Sequence, residues 1–266
     1  MESGLAGERA LVVGGASGIG RAVALLLASE GVHVAVASRR PDPGIVDEIR
    51  ACGVKAARIE ADMVSEADII RMVVQAADAL SGLDRLVYVA ATITHEAITR
   101  LTRAAWESTL ATNLTGAALA CREVARVLIR QQHGGIVLIG STGTASAQPL
   151  ESAYRASKAG LAGLVGTLAV ELAPHSVRVN LVTPGAVDTP FVARAAPAQR
   201  AHVVGQIPLL REALPGEIAP SVVFLLSDRL SPYTTGAELL VDGGLHLRPL
   251  FPGTTSDLRD LNLPSG

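Results

Sequence analysis

"LVVGGASGIGRAV", residues 11–23, joins an apolar run to a helical pattern through Gly14, Gly18 and Gly20. Glycines at such a junction allow a tight turn, a close approach of the backbone to a phosphate, and close packing of the helix on the strand. The start of the helix directs amides and a partial positive charge at an anion. We therefore predict a binding site for the pyrophosphate of a dinucleotide, with a purely structural glycine turn as the alternative. Two other residues of this loop belong to the predicted site: Ser17 and Ile19.

Seven short runs rich in β-branched residues alternate with helical segments along the chain. Most are apolar without strict alternation, which is typical of parallel strands covered on both faces. They are ALVVGG (10–15), HVAVAS (33–38), AARIEAD (56–62), RLVYVA (85–90), GIVLIGS (135–141), VRVNLVTPG (177–185) and ELLVDGG (238–244). This order predicts an α/β protein with one domain over residues 1–266, a doubly wound Rossmann fold with a seven-stranded parallel sheet and helices on both faces.

The segments between the strands are amphipathic and predict helices, including one uninterrupted helix over 104–131 and another over 153–173. Two stretches depart from this pattern. Residues 190–217 contain four prolines and predict a mobile flap beside a substrate. Residues 247–266 form an extension whose role the sequence does not reveal.

The composition favours small-molecule partners. The chain of 266 residues is 49% hydrophobic and 18% charged, with a net charge of −2, so it lacks the basic surface that nucleic-acid binding requires. Its two cysteines, Cys52 and Cys121, are too few for a disulfide framework and indicate a reducing compartment. The sequence shows neither a signal-peptide pattern nor an apolar run of about 18 residues. We expect a cytoplasmic protein with no membrane, nucleic-acid or metal partner.

Tyr154 and Lys158 lie in ESAYRASKAG, residues 151–160. A spacing of four residues places both side chains on one face of a helix, one turn apart. An ammonium beside a phenol is expected to lower the pKa of the phenol from about 10, which makes the tyrosine a proton donor near neutral pH. For an isolated pair, a surface helix that happens to carry both residues is the simpler explanation.

The glycine spacing Gly-x-x-x-Gly-x-Gly, followed by Tyr154 and Lys158, resembles the short-chain dehydrogenase/reductase family over about residues 6–246. The resemblance implies hydride transfer between a nicotinamide cofactor and a ketone or alcohol, with Tyr154 as general acid/base. It implies that Lys158 hydrogen-bonds the nicotinamide ribose, that Ser141 holds the substrate oxygen, and that Asn113 anchors a water-mediated proton relay. Taken singly, Ser141 could be a strand-end turn residue and Asn113 a packing or kink residue within a helix.

The adenine end of the cofactor is predicted to bind beside Ser38, Arg39 and Arg40. An NAD enzyme usually has an acid at the end of the second strand, whereas this chain has Ser38. A guanidinium suits bidentate binding of a 2′-phosphate, so we predict NADP(H), with Arg39 as the main contact and ordinary surface arginines as the alternative. Asp62 matches the family's adenine-contacting acid, with Met63 beside it, or else caps a helix.

The nicotinamide end is predicted to bind after the sixth strand, in TPGAVDTP, residues 183–190. The resemblance implies that Pro184 and Gly185 shape the nicotinamide face of the pocket. It implies that the backbone of Val187 meets the carboxamide and that the hydroxyl of Thr189 reaches the carboxamide or the diphosphate. A turn with Pro-Gly has many other uses, so this motif only supports the others.

The end of the fourth strand departs from the family. The usual Asn-Asn-Ala-Gly is replaced by Tyr88-Val89-Ala90-Ala91, in which Ala90 remains a predicted cofactor contact. The usual threonine before Gly14 is also replaced, by Val13. The threonine hydroxyl and its asparagine partners are thus lost together. Because an isolated buried polar group is unfavourable, we expect apolar contacts to join these two strand ends instead.

The leading hypothesis is an NADPH-dependent reductase that converts a ketone to a secondary alcohol reversibly. The alternatives are a non-catalytic dinucleotide-binding or sensor protein, and a 3-oxoacyl thioester reductase. Arg126 and Arg130 would dock the acidic carrier of such a substrate, or else form an ordinary solvated helix face. An apolar or medium-sized ketone is expected. The predicted substrate pocket comprises Thr94, His95, Thr142, Gln148, Leu150, Ala186, Phe191, Val192 and Ile207. The resemblance implies a homotetramer, or a dimer, formed through helices around 104–132 and 152–173.

Overall fold

The computed structural model describes residues 2–40, 42–142, 148–191 and 197–247. These residues contain a seven-stranded, fully parallel sheet in the order β3-β2-β1-β4-β5-β6-β7. The strands are β1 Arg9–Val13, β2 His33–Ser38, β3 Ala56–Glu60, β4 Arg85–Tyr88, β5 Gly134–Ile139, β6 Val177–Pro184 and β7 Glu238–Val241. The strand order reverses between β1 and β4, so the predicted doubly wound fold is confirmed.

Helices cover both faces of the sheet. They are α1 Gly18–Ser29, α2 Pro43–Ala51, α3 Glu66–Leu80, α4 Arg103–Leu110, α5 Gly116–Gln131, α6 Ser152–Leu172, α7 Pro197–Val204 and α8 Pro215–Leu226. Helices α1, α2 and α8 pack on one face, whereas α3, α5 and α6 pack on the other. Because β5 and β6 are covered on both faces, every residue of these two strands is buried.

Six of the seven predicted strands extend one to three residues beyond the strands of the structure at their carboxyl ends. The additional residues belong to loops that leave the sheet and surround a cavity. Apolar composition continues into these loops because their backbone is still partly buried, so hydrophobicity alone does not locate the end of a strand.

The single helix predicted over 104–131 is wrong in one respect. Helices α4 and α5 are separated by a π-helical turn over Ala111–Thr115, in which the amide of Gly116 donates to the carbonyl of Ala111. A π turn keeps the helical hydrogen-bonding direction, and therefore leaves little trace in hydrophobic periodicity.

The predicted flap and extension lie partly outside the described residues, namely at 192–196 and 248–266. The described part of the flap contains α7, and its final residues, 215–217, form the first turn of α8. Ala213 accepts a hydrogen bond from the amide of Asp188 at 2.9 Å and donates to the carbonyl of Ala186 at 2.9 Å. The flap is thus attached to the loop after β6. One domain over residues 1–266 remains a prediction.

The amino ends of the strands carry buried ion pairs. The Arg85 side chain is 0% exposed and is paired with Glu8 and, at 2.7 Å, with Asp228. Arg178 binds the other oxygen of Asp228 at 2.7 Å. These contacts tie β1, β4 and β6 to the segment after α8, at the edge of the sheet opposite the cavity.

One helical segment, Ser152–His175, is long and apolar enough to cross a membrane by length and composition, with a mean hydropathy of 1.2. This segment consists of α6 and the turn after it. It packs against β6 and contains the buried Lys158, and 33% of its most apolar stretch is buried in the described structure.

Candidate active site

A cavity of about 810 Å³ opens at the carboxyl ends of β1, β2, β4, β5 and β6. Ligands of open α/β sheets bind in this position, where the strand order reverses. Among the predicted site residues, those that line the cavity are Gly14, Ser17, Gly18, Ile19, Ser38, Arg39, Arg40, Asp62, Met63, Ala90, Ser141, Tyr154, Lys158, Pro184, Gly185, Val187 and Thr189. Two predicted residues, Gly20 and Asn113, lie behind this lining.

The glycine loop forms the floor of the cavity between β1 and α1. Gly14 has φ +86°, and a Cβ atom there would lie 2.6 Å from the amide nitrogen of Ala90, so only glycine fits. Ser17 stands at the N-cap of α1 without a capping hydrogen bond from its side chain. Unused donors at the start of a helix fit a pyrophosphate.

Ser38, Arg39 and Arg40 form the rim of the cavity beyond β2. The hydroxyl oxygen of Ser38 is buried and has no hydrogen-bond partner among the described residues. Both arginines are exposed, and neither forms an ion pair with the part of the chain that is described. Because a buried hydroxyl without a partner is unfavourable, this end of the cavity fits a polar ligand group such as a ribose or its phosphate.

Asp62 does not cap α3. Ser65 holds that position and accepts a hydrogen bond from the amide of Asp68 at 3.2 Å. Asp62 instead accepts from the amide of Val64 at 3.1 Å and lines the cavity. The alternative of a helix cap is therefore wrong, and contact with adenine stays a prediction.

Ser141, Tyr154 and Lys158 meet in the interior of the cavity. The Tyr154 hydroxyl is hydrogen-bonded to Ser141. Lys158 Nζ donates to the carbonyl of Ile139 at 2.7 Å and lies 5.8 Å from the centre of the Tyr154 ring. These elements bring the residues together because β5 ends beside Ser141, while α6 packs its first turns against the same strand end.

The predicted effect of Lys158 on Tyr154 is wrong for this structure. Burial raises the pKa of Tyr154 to about 12, opposed by the hydrogen bond with Ser141. Burial also lowers the pKa of Lys158 to about 8. The ammonium group is directed at the Ile139 carbonyl, and the pKa of Tyr154 is set by its burial, by Ser141, and by the charges of Glu151 and Arg155. Tyr154 consequently keeps its proton at neutral pH.

Asn113 is fully buried in the π turn behind the cavity. Its Nδ2 donates to the carbonyl of Thr92 at 2.9 Å and to Ser157 Oγ at 3.0 Å. The amide of Thr92 donates to Asn113 Oδ1 at 2.8 Å. Asn113 makes no direct hydrogen bond to Lys158, and the water-mediated relay remains a prediction.

The loop after β6 forms the wall opposite the glycine loop. The amide of Gly185 donates to the carbonyl of Val241 at 3.1 Å, and Thr142 Oγ1 donates to the carbonyl of Pro184 at 3.2 Å. Thr189 Oγ1 donates to the carbonyl of Val187 at 3.3 Å. These contacts fix the turn that was predicted to receive the nicotinamide.

The substrate end is more polar than expected. Phe191 lies 6.1 Å from the Tyr154 ring, between ring centres, and provides an apolar wall. Glu151 and Arg155, which the sequence reasoning missed, also line the cavity and pair at 3.4 Å. The available signal was the spacing of four residues between Glu151 and Arg155, which predicts an ion pair on one helical face. Of the predicted pocket residues, Thr142, Gln148, Ala186 and Phe191 line the cavity, Thr94, His95, Leu150 and Ile207 do not, and Val192 lies outside the described residues.

The contacts at the end of β4, where Tyr88-Val89-Ala90-Ala91 replaces the usual family motif, include polar ones, although only apolar contacts were expected. Backbone bonds join the strands there, since the amides of Val89 and Ala90 donate to the carbonyl of Val13 at 2.8 and 3.0 Å. Tyr88 is buried, but its hydroxyl donates to the carbonyl of Thr112 at 2.6 Å. The polar partner lies in the π turn rather than in β1.

Known proteins resemble this chain over nearly its whole length. The family model described as enoyl-(acyl carrier protein) reductase matches residues 14–246. The 3-oxoacyl-[acyl-carrier-protein] reductase FabG of Aquifex aeolicus is 36% identical over 92% of this chain and 100% of its own, and that of Staphylococcus aureus is 33% identical over 90% and 98%. The crystal structure of a short-chain type dehydrogenase/reductase from Mycobacterium marinum superposes with a TM-score of 0.87, at 34% identity, covering 92% of this chain and 97% of that one.

Proposed function

Since the chain belongs to the short-chain dehydrogenase/reductase family, we propose that this oxidoreductase reduces a ketone to a secondary alcohol, reversibly, with NADPH. The observation that carries the proposal is the hydrogen bond between Ser141 and Tyr154 inside the cavity. In the proposed reaction the Ser141 hydroxyl holds the carbonyl oxygen and the Tyr154 hydroxyl protonates it. Bound NADPH supplies the hydride.

The protein's own residues provide the acid and stabilise the developing negative charge. Tyr154 keeps its proton at neutral pH because burial raises its pKa to about 12. A carbonyl oxygen that accepts from Ser141 and Tyr154 becomes a stronger proton acceptor as negative charge develops on it, so transfer from Tyr154 becomes favourable during the reaction. Lys158, buried one helical turn away with its Nζ donating to the carbonyl of Ile139, is assigned to the nicotinamide ribose, as the family resemblance implies, and not to lowering the pKa of Tyr154.

The preference for NADPH over NADH rests on the rim of the cavity. The exposed guanidinium groups of Arg39 and Arg40 would attract a 2′-phosphate, and the buried hydroxyl of Ser38 offers it a hydrogen bond. Strand β2 ends in Ser38 and contains no carboxylate that would repel the phosphate.

A 3-oxoacyl thioester is the first substrate to test, because the two FabG relatives are named for that activity. Docking of an acidic carrier on Arg126 has less support, since Arg126 Nη1 already contacts Glu123 at 2.9 Å. Arg130 is exposed and is the better candidate for such a contact.

The test is oxidation of NADPH and of NADH with 3-oxoacyl thioesters, with aliphatic, cyclic and aromatic ketones, and with an enoyl thioester. We expect turnover of a ketone with NADPH, and a loss of about 10²- to 10⁴-fold in kcat for Tyr154→Phe with cofactor binding retained. The matched control is Tyr233→Phe, because Tyr233 is fully exposed. Reduction of the enoyl compound alone, or an active Tyr154→Phe variant, would contradict the proposal. NADPH binding without turnover of any substrate would favour the sensor alternative.

We further propose a cytoplasmic homotetramer, with a dimer as the alternative. Val170 on α6 is 76% exposed, on a helix face of small residues that permits close packing of a second copy. Light scattering at working concentration tests this proposal, which a monomeric mass would contradict.

A further inference from the structure

The helix that carries Asn113 changes its winding at that residue. The π turn over Ala111–Thr115 inserts one wider turn between α4 and α5. Such a turn redirects the side chains on it, and π turns are frequent at functional sites. The direction of the Asn113 amide therefore depends on whether the π turn is maintained.

Tyr88 contacts the π turn from the neighbouring strand. Its side chain is only 1% exposed, and its Oη donates to the carbonyl of Thr112 at 2.6 Å. Gly116 makes this approach possible, since a Cβ atom there would lie 2.9 Å from Tyr88 Oη and 2.6 Å from the carbonyl oxygen of Met63. The absence of a side chain at Gly116 thus leaves room for the Tyr88 phenol to contact the helix backbone. Burial raises the pKa of Tyr88 above its ordinary value, so it remains a donor at all working pH values.

The hydrogen bonds of Asn113 connect the π turn to α6, the helix that carries Tyr154. It holds both the amide and the carbonyl of Thr92, in the loop after β4, and donates to Ser157 Oγ. Ser157 Oγ in turn donates to the carbonyl of Tyr154 at 2.6 Å. A continuous series of hydrogen bonds therefore runs from the π turn to the backbone of the proton donor.

We propose that Tyr88 is a positioning residue, whose hydroxyl fixes the π turn so that Asn113 clamps Thr92 and Ser157 and orients Tyr154. The kinetic consequence rests on the proposed reductase activity, whereas the structural consequence does not. The substitution that removes only the hydroxyl is Tyr88→Phe.

The experiment compares Tyr88→Phe with the wild-type chain and with Val87→Ala. Val87 lies in the same strand but packs on the opposite face of the sheet, so its truncation lowers stability without touching the π turn. Three quantities are measured: hydrogen exchange of the Thr92 amide without cofactor, the NMR signals of the Asn113 side-chain amide, and kcat and KM for the ketone. The double variant Tyr88→Phe with Asn113→Ala is measured as well.

For Tyr88→Phe we expect Thr92 exchange about 5- to 10-fold faster, shifted Asn113 signals, and kcat lower by about the same factor with KM within about twofold. In the Asn113→Ala background the additional loss of kcat should vanish. Val87→Ala should lower the melting temperature without these local changes. Unchanged Thr92 exchange and Asn113 signals in Tyr88→Phe, or the same changes in Val87→Ala, would overturn the proposal. If the wild type reduces no ketone, the function fails, but exchange and NMR still decide the role of Tyr88.

Discussion

We predict that the buried ammonium group of Lys158 destabilises the folded protein below about pH 8, and the variant Lys158→Met tests this prediction. Methionine keeps an unbranched apolar side chain and removes the charge. Lys158 is 3% exposed, and burial lowers its pKa from 10.5 to about 8. Since one pKa unit corresponds to about 1.4 kcal/mol, the charged form is disfavoured in the folded state by about 3 kcal/mol. Loss of the hydrogen bond to Ile139 offsets about 1 kcal/mol, so the variant should be about 2 kcal/mol more stable at pH 7.

The pH dependence has a definite sign. The folded protein binds this proton more weakly than the unfolded chain does, so the penalty is complete below about pH 8 and declines as the pH rises towards 10.5. Between pH 7 and pH 9 the wild-type free energy of unfolding should gain about 1 kcal/mol relative to Lys158→Met. The comparison with the variant cancels the titration of other groups.

Urea unfolding of both proteins at the two pH values, without cofactor, measures these differences. The chain offers a matched control, because Lys55 and Lys158 are its only lysines and Lys55 is exposed, with Nζ 3.1 Å from Ser81 Oγ. Lys55→Met should change neither stability nor its pH dependence appreciably. If Lys158→Met is less stable than the wild type at pH 7 and follows the same pH dependence, the ammonium is not disfavoured by burial and the reasoning is refuted.

Two further substitutions test the cofactor rim and the amino edge of the sheet. Arg39→Ala should weaken NADPH binding by about 10- to 100-fold in a fluorescence titration and leave NADH binding unchanged, because it removes a charge-assisted hydrogen bond to the 2′-phosphate; Arg40→Ala should have a smaller effect, and equal losses for both cofactors would contradict the assignment. Arg85→Met should lower the free energy of unfolding by about 3 kcal/mol, because it leaves the Glu8 carboxylate without its buried partner and leaves Asp228 paired with Arg178 alone. The control is Arg103→Met, whose exposed pair with Glu107 should contribute less than about 1 kcal/mol. A loss for Arg85→Met no larger than that of the control would show that the pair is not needed.

The sequence predicts the sheet well, because strands covered on both faces must be continuously apolar. Every predicted strand corresponds to a strand of the structure, and the glycine loop lies between β1 and α1 as expected. The ends of the strands were less predictable. In β5 the apolar pattern continues to Ser141, although the strand ends at Ile139, because hydrophobicity reports burial rather than backbone pairing.

In the candidate site, too, some features follow from the sequence and others depend on the tertiary structure. Spacing brings Tyr154 and Lys158 to one face of α6, but the direction of the Lys158 ammonium depends on the carbonyl of Ile139 in β5. Their pKa values then follow from burial, which spacing does not report. The π turn at Asn113 and its bond to Tyr88 are also tertiary features, since a tyrosine in a buried strand looks apolar in sequence. Glu151 was recoverable from its spacing of three residues before Tyr154, and Arg155 from its spacing of four residues after Glu151.

The scarcity of lysine has a practical consequence for attaching this protein to a surface. Lys55 immediately precedes β3, at the amino edge of the sheet, whereas the cavity opens at the carboxyl edge. Among lysine side chains, a coupling reagent that attacks exposed amines should therefore react at Lys55, while Lys158 is shielded inside the fold. Protein immobilised through Lys55 would be held with its cavity turned towards solution, in one orientation rather than many.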